Sequence, residues 1–135
     1  MHWHAYTWFG NGADLAREAE RRPTSTDFTS SPLPPMRTGE WLRKPANRIA
    51  ETFDDATSAV EWIAREYARN GGADGTIPLS TRALAATDLL PRGVDVQWGE
   101  WLPGGRFLTI GMICCPNRHV NHPCPTKGAD DGRPL

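Results

Sequence analysis

Residues 106–114, RFLTIGMIC, are apolar on both faces, with Phe107 and Ile113 on one side and Leu108, Ile110 and Met112 on the other. Side chains alternate along a strand, so this run belongs to a central strand covered from both sides. Its neighbour in sequence has only one apolar face: Val94, Val96 and Trp98 alternate with Asp95, Gln97 and Gly99. Between the two lies Pro103-Gly104-Gly105. A three-residue turn there accepts proline first and a left-handed glycine last, and it pairs Leu102 with Arg106. That register sets Val96 beside Met112 and Trp98 beside Ile110 on a shared apolar face.

The remaining elements follow from periodicity and from stop signals. Residues 2–9 alternate and are rich in aromatics, which suits a strand ending at Asn11-Gly12. A thin apolar stripe (Leu15, Ala16, Ala19) predicts a short helix over about 13–21, stopped by Pro23. Residues 47–53 read as a further strand. Ala56, Ala59, Val60, Ile63, Ala64 and Tyr67 recur at three and four residues and predict an amphipathic helix over 56–69. Asp54 and Asp55 stand where caps are needed, and Gly71 follows Asn70 at its end. A shorter helix is predicted over 81–89, capped by Ser80, stapled by Leu79 and Leu84, and ended by Pro91. The expected architecture is α+β: a mixed or antiparallel sheet of about four strands, helices on one face and a C-terminal β-hairpin. Residues 1–125 are expected to form a single domain and 126–135 a flexible tail.

Residues 23–45 interrupt this order with a Pro/Ser/Thr-rich loop containing Ser31-Pro32-Leu33-Pro34-Pro35. Proline removes backbone donors and biases its neighbours to extended geometry. The plain expectation is a loop lying on the surface; the sharper one is a polyproline II ligand.

Composition excludes more than it suggests. With 39% hydrophobic and 23% charged residues the chain is globular rather than disordered. No apolar run approaches the roughly 20 residues of a membrane span. The start, MHWHAY, lacks the basic flank and apolar stretch of a signal peptide, so the expected compartment is the cytoplasm. A net charge of −1 weighs against a nucleic-acid clamp, which needs clustered Lys and Arg. Arginine supplies nearly all the positive charge; with the abundance of Ala, Gly and Pro, this points to a GC-rich bacterial genome.

Reactive side chains concentrate in residues 114–125, CCPNRHVNHPCP. Cys115, His119, His122 and Cys124 form C-x3-H-x2-H-x-C, four ligands of the kind that zinc takes in a closed tetrahedral site. The spacing is not a standard zinc pattern, since ten residues of chain wrap a tetrahedron with difficulty. His2 and His4 lie on one face of the first strand and offer ligands from elsewhere. The plain alternative is Cys114 as a small buried hydrophobe, with the other residues on a polar loop. A thiolate nucleophile at Cys115, activated by His119 or His122, is the enzymatic alternative, although the cysteines end a strand rather than begin a helix.

Six tryptophans stand out in 135 residues. Trp62 falls off the apolar stripe of its helix and Trp101 lies near the hairpin tip, so these two are the candidates for a partner-binding surface; partial burial under the long loop is the competing explanation. Nucleotide-binding glycine loops, the serine-hydrolase elbow and the metalloprotease H-E-x-x-H are all missing. The expected function is a non-catalytic binding or accessory protein. It would act on another protein through an aromatic surface and a Cys/His-rich C-terminal loop that takes zinc. Beside it stand a small Cys–His enzyme and a zinc-stabilised nucleic-acid-binding protein.

Overall fold

In the computed structural model, which describes residues 1–126, four strands form one antiparallel sheet: β1 (His2–Asn11), β2 (Glu51–Phe53), β3 (Val96–Leu102) and β4 (Arg106–Cys115). Their order across the sheet is β2-β1-β4-β3. The strand that is apolar on both faces therefore lies inside the sheet, as its composition requires. It pairs with β1 over ten residues, from His2 opposite Cys115 to Asn11 opposite Arg106.

The β3–β4 hairpin turns at Pro103–Gly105 and pairs Leu102 with Arg106, Trp98 with Ile110 and Val96 with Met112. Both turn glycines have positive φ, 82° at Gly104 and 74° at Gly105, which a side chain would resist. The expected register and turn are those observed.

Two α-helices cover one face of the sheet, α1 (Ala56–Arg69) and α2 (Leu79–Leu89). The α1 stripe buries Ala59, Val60, Ile63 and Tyr67 against Trp3, Ala5, Val96, Trp98, Leu108, Ile110, Met112 and Cys114. Asp55 caps α1: its Oδ1 accepts from the Ser58 amide at 2.7 Å and its Oδ2 from the Ser58 hydroxyl at 3.0 Å. Asn70 ends the helix and Gly71 follows at φ 101°. In α2 the expected cap and staple are absent. Pro78 stands at the N-cap with no side-chain bond, Ser80 is already inside the helix, and Leu84 is 74% exposed. Pro78 pre-sets φ there and has no amide of its own to satisfy, so the helix starts two residues earlier than expected.

Among the described residues, the opposite face is covered without any α-helix. Residues 12–49 run across it in four short 3-10 turns, over Gly12–Ala16, Glu18–Arg21, Thr38–Arg43 and Ala46–Arg48. The short helix expected over 13–21 is two of these turns, broken at Arg17, whose ψ of 62° is not helical. The strand expected over 47–53 shrinks to Glu51–Phe53 because Pro45 opens a turn closed by the Arg48 amide on its carbonyl at 2.9 Å. The Pro-rich segment is a packed layer. Leu33, Trp41 and Leu42 form a second core with Tyr6, Trp8, Ile113 and Cys115. Trp41 stacks on Tyr6 with ring centroids 4.9 Å apart and donates from Nε1 to Gln97 Oε1 at 3.0 Å. Pro34 and Pro35 are buried too, so they do not present a polyproline ligand.

Burying such a segment requires partners for carbonyls that no ladder serves. Long cationic side chains supply them. Lys44 Nζ donates to the carbonyls of Phe28 and Ser31 at 2.6 and 2.9 Å and lies 4.0 Å from the centre of the Phe28 ring. Arg21 donates to the carbonyls of Leu15 and Pro34, both at 2.8 Å. Among the described residues no helix is long and apolar enough to cross a membrane. The expected flexible tail falls almost wholly outside the described residues.

Candidate metal centre

Where β1 begins and β4 ends, strand alternation sets His2, His4 and Tyr6 in a row on the face away from the helices. Antiparallel pairing puts Cys115 directly opposite His2 and Ile113 opposite His4. Cys114 projects to the other face and is buried in the helix-side core, so two adjacent cysteines enter two different environments. Past β4 the chain folds back, and Cys124 reaches the same corner.

The result is a group of four donors, His2, His4, Cys115 and Cys124, whose ligand atoms all lie within 4.8 Å of one another. His4 and Cys115 are buried, while His2 and Cys124 are half-buried. His2 Nε2 lies 3.1 Å from His4 Nε2, and each of these nitrogens lies 3.2 Å from Cys124 Sγ. A triangle with these sides has its centre about 1.8 Å from each corner. An ion roughly 1 Å above its plane is then about 2.1 Å from all three atoms, next to the ~2.0–2.3 Å of zinc–imidazole and zinc–thiolate bonds. An ideal tetrahedron of those bonds has edges of about 3.3–3.8 Å. The observed triangle is slightly tighter, and Cys115 Sγ, within 4.8 Å of all three atoms, is the fourth donor at hand.

Further polar groups border the centre. His4 Nδ1 is 2.8 Å from Thr52 Oγ1. Cys124 Sγ is 3.3 Å from Thr126 Oγ1. The Tyr6 hydroxyl is buried and has no hydrogen-bond partner among the described residues. Burial chiefly, and then the nearby sulfurs of Cys115 and Cys124, push its ionisation well above the usual tyrosine range.

Two of the four ligands expected from the C-terminal run, Cys115 and Cys124, thus enter the group; His119 and His122 do not. His119 is exposed, and its amide donates to Asn117 Oδ1 at 2.9 Å. His122 Nδ1 lies 2.9 Å from the Pro123 carbonyl. Asn117 organises this loop: its Nδ2 donates to both carboxylate oxygens of Asp95 at 2.9 Å, and its Oδ1 receives the amides of His119 and Val120. The histidines that do converge come from the far end of the chain. The shared face of His2 and His4 was the available signal; their meeting with Cys115 depended on the β1–β4 register.

The two tryptophans singled out as partner candidates differ. Trp62 is half-buried against Phe53, with centroids 5.9 Å apart, and packs on the helix-side core. Trp101 is 60% exposed and meets Phe107 edge-on at 5.0 Å. Beside it, Gly71, Glu100, Leu102 and Pro103 line a groove of about 310 Å³. Compared with known protein families, curated proteins and solved structures, the chain finds no match.

Proposed function

We propose that the protein is a non-catalytic binding or accessory protein stabilised by zinc, with His2, His4, Cys115 and Cys124 as the ligands. The observation that carries this reading is the near-equilateral triangle of two imidazole nitrogens and one thiol sulfur, with a second cysteine sulfur within 4.8 Å. Two imidazoles and two thiolates suit zinc better than the hard, oxygen-seeking ions. Four protein donors leave no open position for substrate, which favours a structural role over Lewis-acid catalysis. Burial of Cys115 weighs against its use as a nucleophile, since a substrate would have to reach it. The reading fits a reducing cytoplasm, where both thiols stay available to the ion. The other half of the function falls to a protein partner docking at Trp101, whose exposed indole stands beside an apolar groove.

Metal analysis of the purified protein is the test. About one zinc per chain is expected, and cobalt(II) in its place should give the intense visible bands of a tetrahedral thiolate site. Cys124→Ala should abolish those bands, whereas His119→Ala and His122→Ala should leave them intact. A protein that takes up neither ion, or cobalt bands unchanged in Cys124→Ala, would sink the reading.

A further inference from the structure

We infer that Thr52 is the positioning residue of this centre, holding His4 in the one tautomer and ring orientation that can ligate; the inference rests on the zinc reading above. His4 directs Nε2 at His2 and Cys124, 3.1 and 3.2 Å away. To bind an ion there, Nε2 must carry the lone pair and Nδ1 the hydrogen. Nδ1 then donates to Thr52 Oγ1 across the observed 2.8 Å.

The strand that brings this oxygen is fixed in place by its pairing with β1. Strand β2 is three residues long, and its register pairs Phe53 with Trp3, Thr52 with His4 and Glu51 with Ala5. Directly opposed residues project to the same face, so Thr52 stands beside the His4 ring while Phe53 turns to the helix side and meets Trp62. A slip of one residue would set Glu51 or Phe53 against the ring and carry the hydroxyl to the other face. The His4 ring is fully buried, so bulk water is in no position to hold Nδ1. Thr52 itself is exposed, so its oxygen can be removed without opening the core.

Outer-shell partners of ligating histidines typically change metal affinity by about 10–100-fold when removed. The experiment measures zinc affinity of the full chain by competition with a chromophoric chelator, for the wild type and for Thr52→Val, Thr52→Ala and Thr52→Ser. Valine keeps the branched shape and suits an edge strand, alanine removes the oxygen a second way, and serine restores it. The expected result is a loss of about 10–100-fold for both valine and alanine and recovery to within about threefold for serine. Long-range proton–nitrogen spectra of the loaded protein should find the His4 hydrogen on Nδ1 in the wild type and in Thr52→Ser. If the wild type binds zinc and Thr52→Val and Thr52→Ala bind it equally well, the inference is overturned while the zinc reading stands. It also falls if serine fails as badly as valine, because a merely structural role would then account for the loss. Should the wild type bind no zinc, the reading beneath it falls first.

Discussion

Cys114 and Cys115 are neighbours in the chain, and their removal should have opposite consequences. Cys114→Ala deletes one fully buried sulfur from the helix-side core. Losing an atom of that size costs about 1 kcal/mol, in line with the loss of one buried methylene. Zinc content should not change. Cys115→Ala deletes a donor instead. If zinc is present at a thousandfold excess over its dissociation constant, it stabilises the folded chain by about 4 kcal/mol, and that increment should vanish. Urea unfolding with and without a chelator, alongside metal analysis, separates the two: the chelator should destabilise Cys114→Ala much as it does the wild type and leave Cys115→Ala unmoved. Alkali gives a second handle. Burial first, and then the Asp95 carboxylate, push the Cys114 thiol from 9.0 up to about 12. A raised pKa contributes stability that is complete below about pH 9 and is lost as pH rises through about 12. The wild type should therefore lose part of its advantage over Cys114→Ala above pH 9. A Cys114→Ala protein without zinc, or a Cys115→Ala protein that keeps it and still responds to chelator, would refute the assignment of the two faces.

Ile63→Ala removes a fully buried side chain where α1 meets the sheet and should cost about 2–5 kcal/mol in an unfolding experiment; a nearly unchanged midpoint would mean that α1 buries another face. Lys44 is lowered from 10.5 to about 8, chiefly by burial, so between those values the unfolded chain binds more protons and this group makes stability rise with pH. Lys44→Met should lose that rise relative to the wild type between pH 8 and 10.5, and identical pH profiles would show that the ammonium is not desolvated in the folded chain.

The fold was legible wherever one residue's environment is set by its near neighbours. Alternation in 106–114, the three- and four-residue spacing in α1 and the Pro-Gly-Gly turn each specify their own geometry, and all three emerge as expected. The Pro-rich segment misled because its composition reports only that it lacks regular hydrogen bonds. That Lys44 and Arg21 would satisfy its carbonyls, and that Leu33, Trp41 and Leu42 would supply the second layer, depends on where the chain returns. Even so, a strand apolar on both faces demands a second covering layer. The candidate site was half legible for the same reason. Cys115 and Cys124 were near enough in sequence to be grouped, whereas their convergence with His2 and His4 requires β1 and β4 to be partners in one register.

That placement changes what metal occupancy would report. A chelating loop of ten residues, as the C-terminal run first suggests, could grip an ion even in an unfolded chain. Here Cys124 stands 122 positions from His2 and 120 from His4, and the four donors meet only when the first and last strands have docked side by side. In the unfolded chain that separation dilutes each half-site from the other by the entropy of closing a very long loop. An ion bound there would then favour the closed sheet, and the closed sheet would favour the ion. An ion held at this corner would report that the His2–Cys115 end of the β1–β4 pair is closed, and damage that opens that end would be felt as loss of metal.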